Sequence, residues 1–149
     1  MSGLYFEEFN VGQKIVTGER SISDGDIMTF AGLTGDNNRI HTDEEFSRNG
    51  PFGQRIAHGL LGLSIASGLA WKTGILDGTV IAFREVNDWK FIKPVFLGDT
   101  VHAELNVIET KALPRIGAGS VVLTAELRNQ KDETCMKGNW NLLIMSRPK

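Results

Sequence analysis

The amino-acid sequence predicts an α+β fold, a curved antiparallel sheet wrapped around one long central helix. Three observations lead there. The stretch from about Arg55 to Thr73 is the most apolar part of the chain and is of helical length. The second half alternates apolar and polar residues with a period of two, the mark of antiparallel strands covered on one face. The chain of 149 residues is long enough to bury a real core, so residues 1–149 are read as one domain. A long helix followed by a run of such strands is satisfied when the sheet curls round the helix.

In chain order, Lys14 to Ile22 reads as an opening strand. Ser23 caps a short helix, with Asp26 three residues on completing a capping box. Ile27, Phe30 and Ala31 follow at helical spacing, and Gly32 and Gly35 end the helix. Gly35 to His41 reads as a polar loop. Thr42 and Glu45 suggest a second capping box, opening a brief helix to about Arg48. Asn49-Gly50-Pro51-Phe52-Gly53 is a run of turn residues. The long helix from about Arg55 to Thr73 has Gly74 as its C-cap and holds Gly59, Gly62 and Gly68 inside it. Each interior Gly costs about 1 kcal/mol relative to Ala in an exposed helix. A helix this apolar and Gly-rich is therefore expected to be buried, with its backbone close to the sheet.

Strands are expected over Thr79 to Val86 and Trp89 to Lys93, broken near Asn87-Asp88. Val101, Ala103, Leu105 and Val107 share one face of the next, with Thr100, His102, Glu104 and Asn106 opposite. Val121, Leu123, Ala125 and Leu127 repeat the pattern, and Met136, Trp140, Leu142 and Ile144 make a third run. Asn129 to Asp132 supplies the turn between the last two. The free edge or face of this sheet is expected to pair with a second copy of the chain.

Composition narrows the function. The formal net charge is −2 with 23% charged residues, and no basic stripe is present, so nucleic acid is not an expected partner. The chain has 1 cysteine, Cys135, which allows no intrachain disulfide and fits a reducing compartment. Met1 to Gly12 has neither a basic nor an apolar signal region, and the apolar helix is too short and interrupted to span a bilayer. A cytoplasmic location is the expectation. The histidines are scattered without metal-ligand spacing, and the glycines form no phosphate loop, so no metal or bound cofactor is expected.

The segment that carries chemistry is Gly35-Asp36-Asn37-Asn38-Arg39-Ile40-His41. A carboxylate and an imidazole five residues apart can converge on one small molecule, and they form the pair that acid–base chemistry near neutral pH needs. Asp and Asn are also common in loops simply because they make Asx-turns.

This segment resembles the hydratase motif of the MaoC-like dehydratases and (R)-specific enoyl-CoA hydratases: Gly-Asp-x-Asn-Pro, an aliphatic residue, then His. Ala57-His58-Gly59-Leu60-Leu61 is similar to the start of that family's central helix. Phe91-Ile92-Lys93-Pro94-Val95-Phe96-Leu97-Gly98-Asp99-Thr100 is similar to its entry into a strand. The resemblance implies a hot-dog fold, a homodimer or higher homo-oligomer, and reversible hydration of 2-enoyl thioesters to 3-hydroxyacyl thioesters. Coenzyme A then belongs to the substrate. It implies Asp36 and His41 as the catalytic pair and the Gly59 backbone N–H as donor to the thioester carbonyl. Asn38 would hold the loop or His41 in place, and the Ser67 hydroxyl would bond the catalytic carboxylate. A Ser within a helix can equally bond back to its own helix. Arg39 stands where the family usually has Pro; it either meets an anionic substrate or is a solvated surface residue. Trp71, Trp89, Phe91 and Arg39 are candidate pocket walls. His58 and His102 are read as structural or exposed. A hot-dog thioesterase and a non-catalytic acyl-thioester-binding module are the competing readings.

Overall fold

The computed structural model describes residues 3–149. After a short 3₁₀ turn at Phe6–Glu8, the elements are β1 (Lys14–Val16), β2 (Arg20–Ser21), α1 (Asp24–Thr34), α2 (Arg39–Thr42), α3 (Glu44–Arg48) and α4 (Gly59–Lys72). Four long strands follow: β3 (Val80–Phe91), β4 (Thr100–Leu113), β5 (Ala118–Arg128) and β6 (Thr134–Met145). The sheet runs β1-β4-β5-β6-β3, with β2 also paired to β4, and every pairing is antiparallel. Among the described residues, no helix is long and apolar enough to cross a membrane.

The period-two pattern builds the core as expected. Val101, Ala103, Leu105 and Val107 of β4 are buried, as are Val121, Leu123, Ala125 and Leu127 of β5 and Trp140, Leu142 and Ile144 of β6. α4 packs onto β4 and β5 through Leu61, Ile65, Ala66, Leu69 and Ala70. A second cluster closes the far end, where Phe9 joins Val107, Val121, Leu123, Leu142 and Ile144.

Four local expectations are corrected. The opening strand is two strands: at Thr17 the N–H still donates to the Ala103 carbonyl at 2.9 Å, but the Thr17 hydroxyl accepts the return bond from the Ala103 N–H at 2.8 Å. The predicted break at Asn87-Asp88 is instead a bulge inside one continuous strand, with Asp88 at φ 54°. The brief helix is capped by Asp43, whose carboxylate accepts from the Phe46 N–H at 2.9 Å; Thr42 is already the last residue of α2. The long helix begins at Gly59, because the chain before it is held extended by the Ala57 N–H bond to the Val95 carbonyl at 2.7 Å.

The glycines of α4 also divide. A side chain at Gly62 would run into Met136 and Leu127, so this glycine permits close approach to the sheet. Gly68 faces open space instead. The helix is buried on one side only; Leu60, Ser64, Ser67, Gly68 and Trp71 lie on its exposed side.

Candidate active site

The site is built from the end of α1, the turn of α2 and the segment leading into α4. Ser23 and Asp26 form the expected capping box that starts α1. Gly35, at φ 82°, ends it in the left-handed conformation that glycine tolerates best. The chain then reverses through two side-chain turns. The Thr34 hydroxyl accepts from the Asp36 N–H at 3.1 Å, and the Asp36 carboxylate accepts from the Asn38 N–H at 3.2 Å. Asn38 is the N-cap of α2: its side-chain oxygen accepts from the Ile40 N–H at 3.2 Å, and its carbonyl accepts from the His41 N–H at 3.0 Å. Asn38 therefore holds the turn that presents His41.

Arg39 sits at the first helical position, where proline is favoured because its missing N–H is not needed. The turn forms without proline. Arg39 is exposed, 3.8 Å from Asp43, with its guanidinium 4.3 Å from the Phe46 ring centroid.

His41 is 7% exposed, and its Nδ1 lies 2.8 Å from the Ile56 carbonyl oxygen. A carbonyl only accepts, so Nδ1 carries the proton and Nε2 is left with a lone pair. Arg55 braces the same residue: its Nε donates to the His41 carbonyl at 2.6 Å, and its Nη1 lies 2.6 Å from Asp24. Burial pushes the His41 imidazole below its ordinary value. The Ile56 carbonyl opposes that, as does the Asp36 carboxylate, while His58 adds to the lowering. The shift favours the neutral form of His41, in which Nε2 is free to accept a proton.

Asp36, His41 and His58 each place a donor atom within 4.8 Å of the others. The expected Asp36–His41 pair therefore does meet, with an exposed carboxylate beside a buried imidazole. The His41 and His58 rings lie face to face, 3.8 Å apart and 25° from parallel. In-plane lone pairs of rings stacked this way do not converge on one ion, so this geometry suits proton transfer better than metal coordination.

Gly59 is the first residue of α4, and its N–H has no hydrogen-bond partner among the described residues. Such an N–H lies at the positive end of the helix dipole. It opens onto an apolar cavity of about 430 Å³ lined by Phe52, Ile56, Leu60, Phe91, Val95 and Met136, among others. Asp36 and His41 do not line this cavity; they adjoin it through Ile56 and His58.

The structure does not bring Ser67 to the pair. Its hydroxyl donates to the Ser64 carbonyl at 2.6 Å, so the bond expected to the catalytic carboxylate is absent. Of the candidate walls, only Phe91 lines the cavity; Trp71 is exposed on α4, and Trp89 stacks on Trp140. His102 is on the polar face of β4 as expected, 3.1 Å from Glu104. Sequence reasoning missed His58 and Arg55 as parts of the site. The usable signal for His58 was a His directly before the Gly that opens the apolar helix.

The MaoC-like domain model matches residues 7–127. The chain belongs to the MaoC-like domain family. It is 38% identical over 106 residues to a 3-hydroxybutyryl-CoA dehydratase of Methylorubrum extorquens, a match covering 71% of this chain and 65% of that protein. A match to another relative, from Klebsiella aerogenes, spans only 30% of its length. Among solved structures, a protein described as a monoamine oxidase regulatory protein from Archaeoglobus fulgidus superposes with a TM-score of 0.90 at 36% identity, covering 99% of this chain and 98% of that one. The R-hydratase PhaJ1 of Pseudomonas aeruginosa superposes with a TM-score of 0.82 at 30% identity, covering 97% of this chain and 88% of that one. The sheet curled round α4 is the hot-dog fold of these MaoC-like neighbours.

Proposed function

We propose that this MaoC-like domain is a hydro-lyase that reversibly hydrates 2-enoyl thioesters, with coenzyme A as the thiol of its substrate. The observation that carries this is the His41 imidazole, its Nδ1 proton held by the Ile56 carbonyl at 2.8 Å, with a ring nitrogen and the Asp36 carboxylate within 4.8 Å of each other. The names of the dehydratase and hydratase relatives support the same reaction class.

In the hydration direction, a water oxygen bonds to C3 of the enoyl group while His41 Nε2 takes its proton. The electron pair of the C2–C3 double bond moves toward the thioester oxygen. The Gly59 N–H stabilises the charge that builds there. Asp36 orients the water and stabilises the imidazolium, and a proton from the pair then reaches C2. Water is consumed and nothing leaves. No metal is needed, because the acidifying group for the carbonyl is the backbone N–H.

We further infer a homodimer joined through β3. That strand is at the sheet edge and exposes Ile81 (47%), Phe83 (45%) and Val86 (41%). Apolar edge strands of this kind are normally covered. Phe83→Glu should convert a dimer to a monomer by light scattering; a monomeric wild type would refute the inference.

Incubation with crotonyl-CoA tests the function. The expected result is 3-hydroxybutyryl-CoA with the thioester intact. Release of free coenzyme A would instead make the domain a thioesterase, and tight binding with no turnover of any enoyl-CoA would make it a binding module.

A further inference from the structure

His58 is 3% exposed and precedes Gly59, at the N-cap of α4, with φ −57° and ψ 136°. Its side chain caps nothing in the helix. It makes three other contacts. The ring stacks on His41 at 3.8 Å. Nε2 lies 2.9 Å from the Asp36 main-chain carbonyl, which can only accept, so Nε2 carries the proton. The Phe30 ring meets it edge-on at 4.9 Å. Nδ1 is buried and has no hydrogen-bond partner among the described residues.

These contacts fix the state of the ring. A proton on Nδ1 would be a second buried donor with no acceptor, which is costly. His58 is therefore a plate immobilised by its neighbours, with its one partnered nitrogen directed at the Asp36 carbonyl. It lies under the imidazole that changes charge during the reaction. It also touches each part of the proposed site: Asp36 through its carbonyl, His41 through its face, and Gly59 through the peptide bond.

We propose that His58 is a positioning residue, which sets the His41 ring and the Asp36 turn in register with each other and with the start of α4. The proposal rests on the hydratase reading above. An inert core histidine would explain burial and the contact with Phe30. Such a histidine also needs an acceptor for its donor; it does not require that its ring face and its donor fall on the two members of the proposed pair, His41 and Asp36.

Two variants separate the two contacts. His58→Gln keeps an amide donor for the Asp36 carbonyl but removes the stacked ring. His58→Phe keeps the stack but removes the donor. His58→Ala removes both. Misplacing a reacting group by about 1 Å can cost about 100-fold, so kcat for crotonyl-CoA should fall about 10- to 100-fold in His58→Ala. KM should change less than about threefold, because His58 does not touch substrate. Gln and Phe should each recover part of the loss. Nitrogen-15 NMR of the His41 side chain gives a readout independent of activity. Wild type should show a single Nδ1–H tautomer, and His58→Ala a mixture. The proposal is overturned if folded Gln and Phe variants keep wild-type kcat and the single tautomer, whatever their melting temperature. Failure of the hydratase reading would show differently, as a wild type inactive on every enoyl-CoA, and the tautomer measurement would still decide the role of His58.

Discussion

Asn38→Ala should slow the enzyme without touching its core. The side-chain oxygen of Asn38 accepts from the Ile40 N–H at 3.2 Å and caps the four-residue α2, on which His41 rides. Removing an N-cap costs about 1 kcal/mol. α2 is too short to persist on its own propensity, so the loss falls mainly on this turn. If the whole of it shifts the local equilibrium away from the competent turn, the competent fraction falls about fivefold relative to the alternatives, since about 1.4 kcal/mol is a factor of ten. The assay is kcat/KM for crotonyl-CoA hydration, with the melting temperature measured in parallel. The melting temperature should move by no more than about 2–4 °C, as expected for about 1 kcal/mol in a domain of this size. Asn38→Ser restores a cap and should recover most of the activity. A Ser variant as impaired as the Ala variant would refute the reasoning, because the Asn amide would then be needed for something other than capping.

Two further outcomes follow from the site. Burial lowers the His41 imidazole, so the acid limb of kcat/KM should lie below about 6.5, the ordinary histidine value. The same shift makes stability pH-dependent: below about 6.5 the unfolded chain takes up a proton that folded His41 refuses. The stabilisation is therefore complete above that pH and is lost as pH falls through the folded value. Urea melts of wild type and His41→Gln should converge or cross in that acid window; parallel curves would contradict the assignment. For the carbonyl donor, Gly59→Pro deletes one N–H at a first helical position, where proline is tolerated, after a residue already extended at ψ 136°. A side chain at Gly59 would meet the Phe91 ring at 2.6 Å, so the change is made in a Phe91→Ala background. Relative to Phe91→Ala alone, kcat should fall about 100- to 1,000-fold; an unchanged kcat would remove Gly59 from the mechanism.

The sheet was legible because its information is local. The first half of β4, β5 and the end of β6 repeat a buried apolar residue at every second position, and one buried face requires only that. The bulge at Asp88 was not legible. Asn and Asp there mark a local disturbance, but only the pairing with β6 on the other side decides that the strand continues. The cap of α3 went to Asp43 rather than Thr42 because α2, a helix the loop-like composition concealed, already holds Thr42. At the site, Asp36 and His41 were legible because they share one short loop. His58 was not, since its bond to Asp36 joins residues 22 apart, and stacking leaves no periodic trace. Ser67 could be placed on α4 by resemblance, yet a hydroxyl inside a helix has a carbonyl of its own turn within reach and takes it.

The most direct test compares crotonyl-CoA hydration by wild type, Asp36→Asn and His41→Gln, each shown to be folded by circular dichroism. The account predicts that both variants lose at least about 100-fold in kcat, the scale of a missing general base. Folded variants that turn over at the wild-type rate would contradict it.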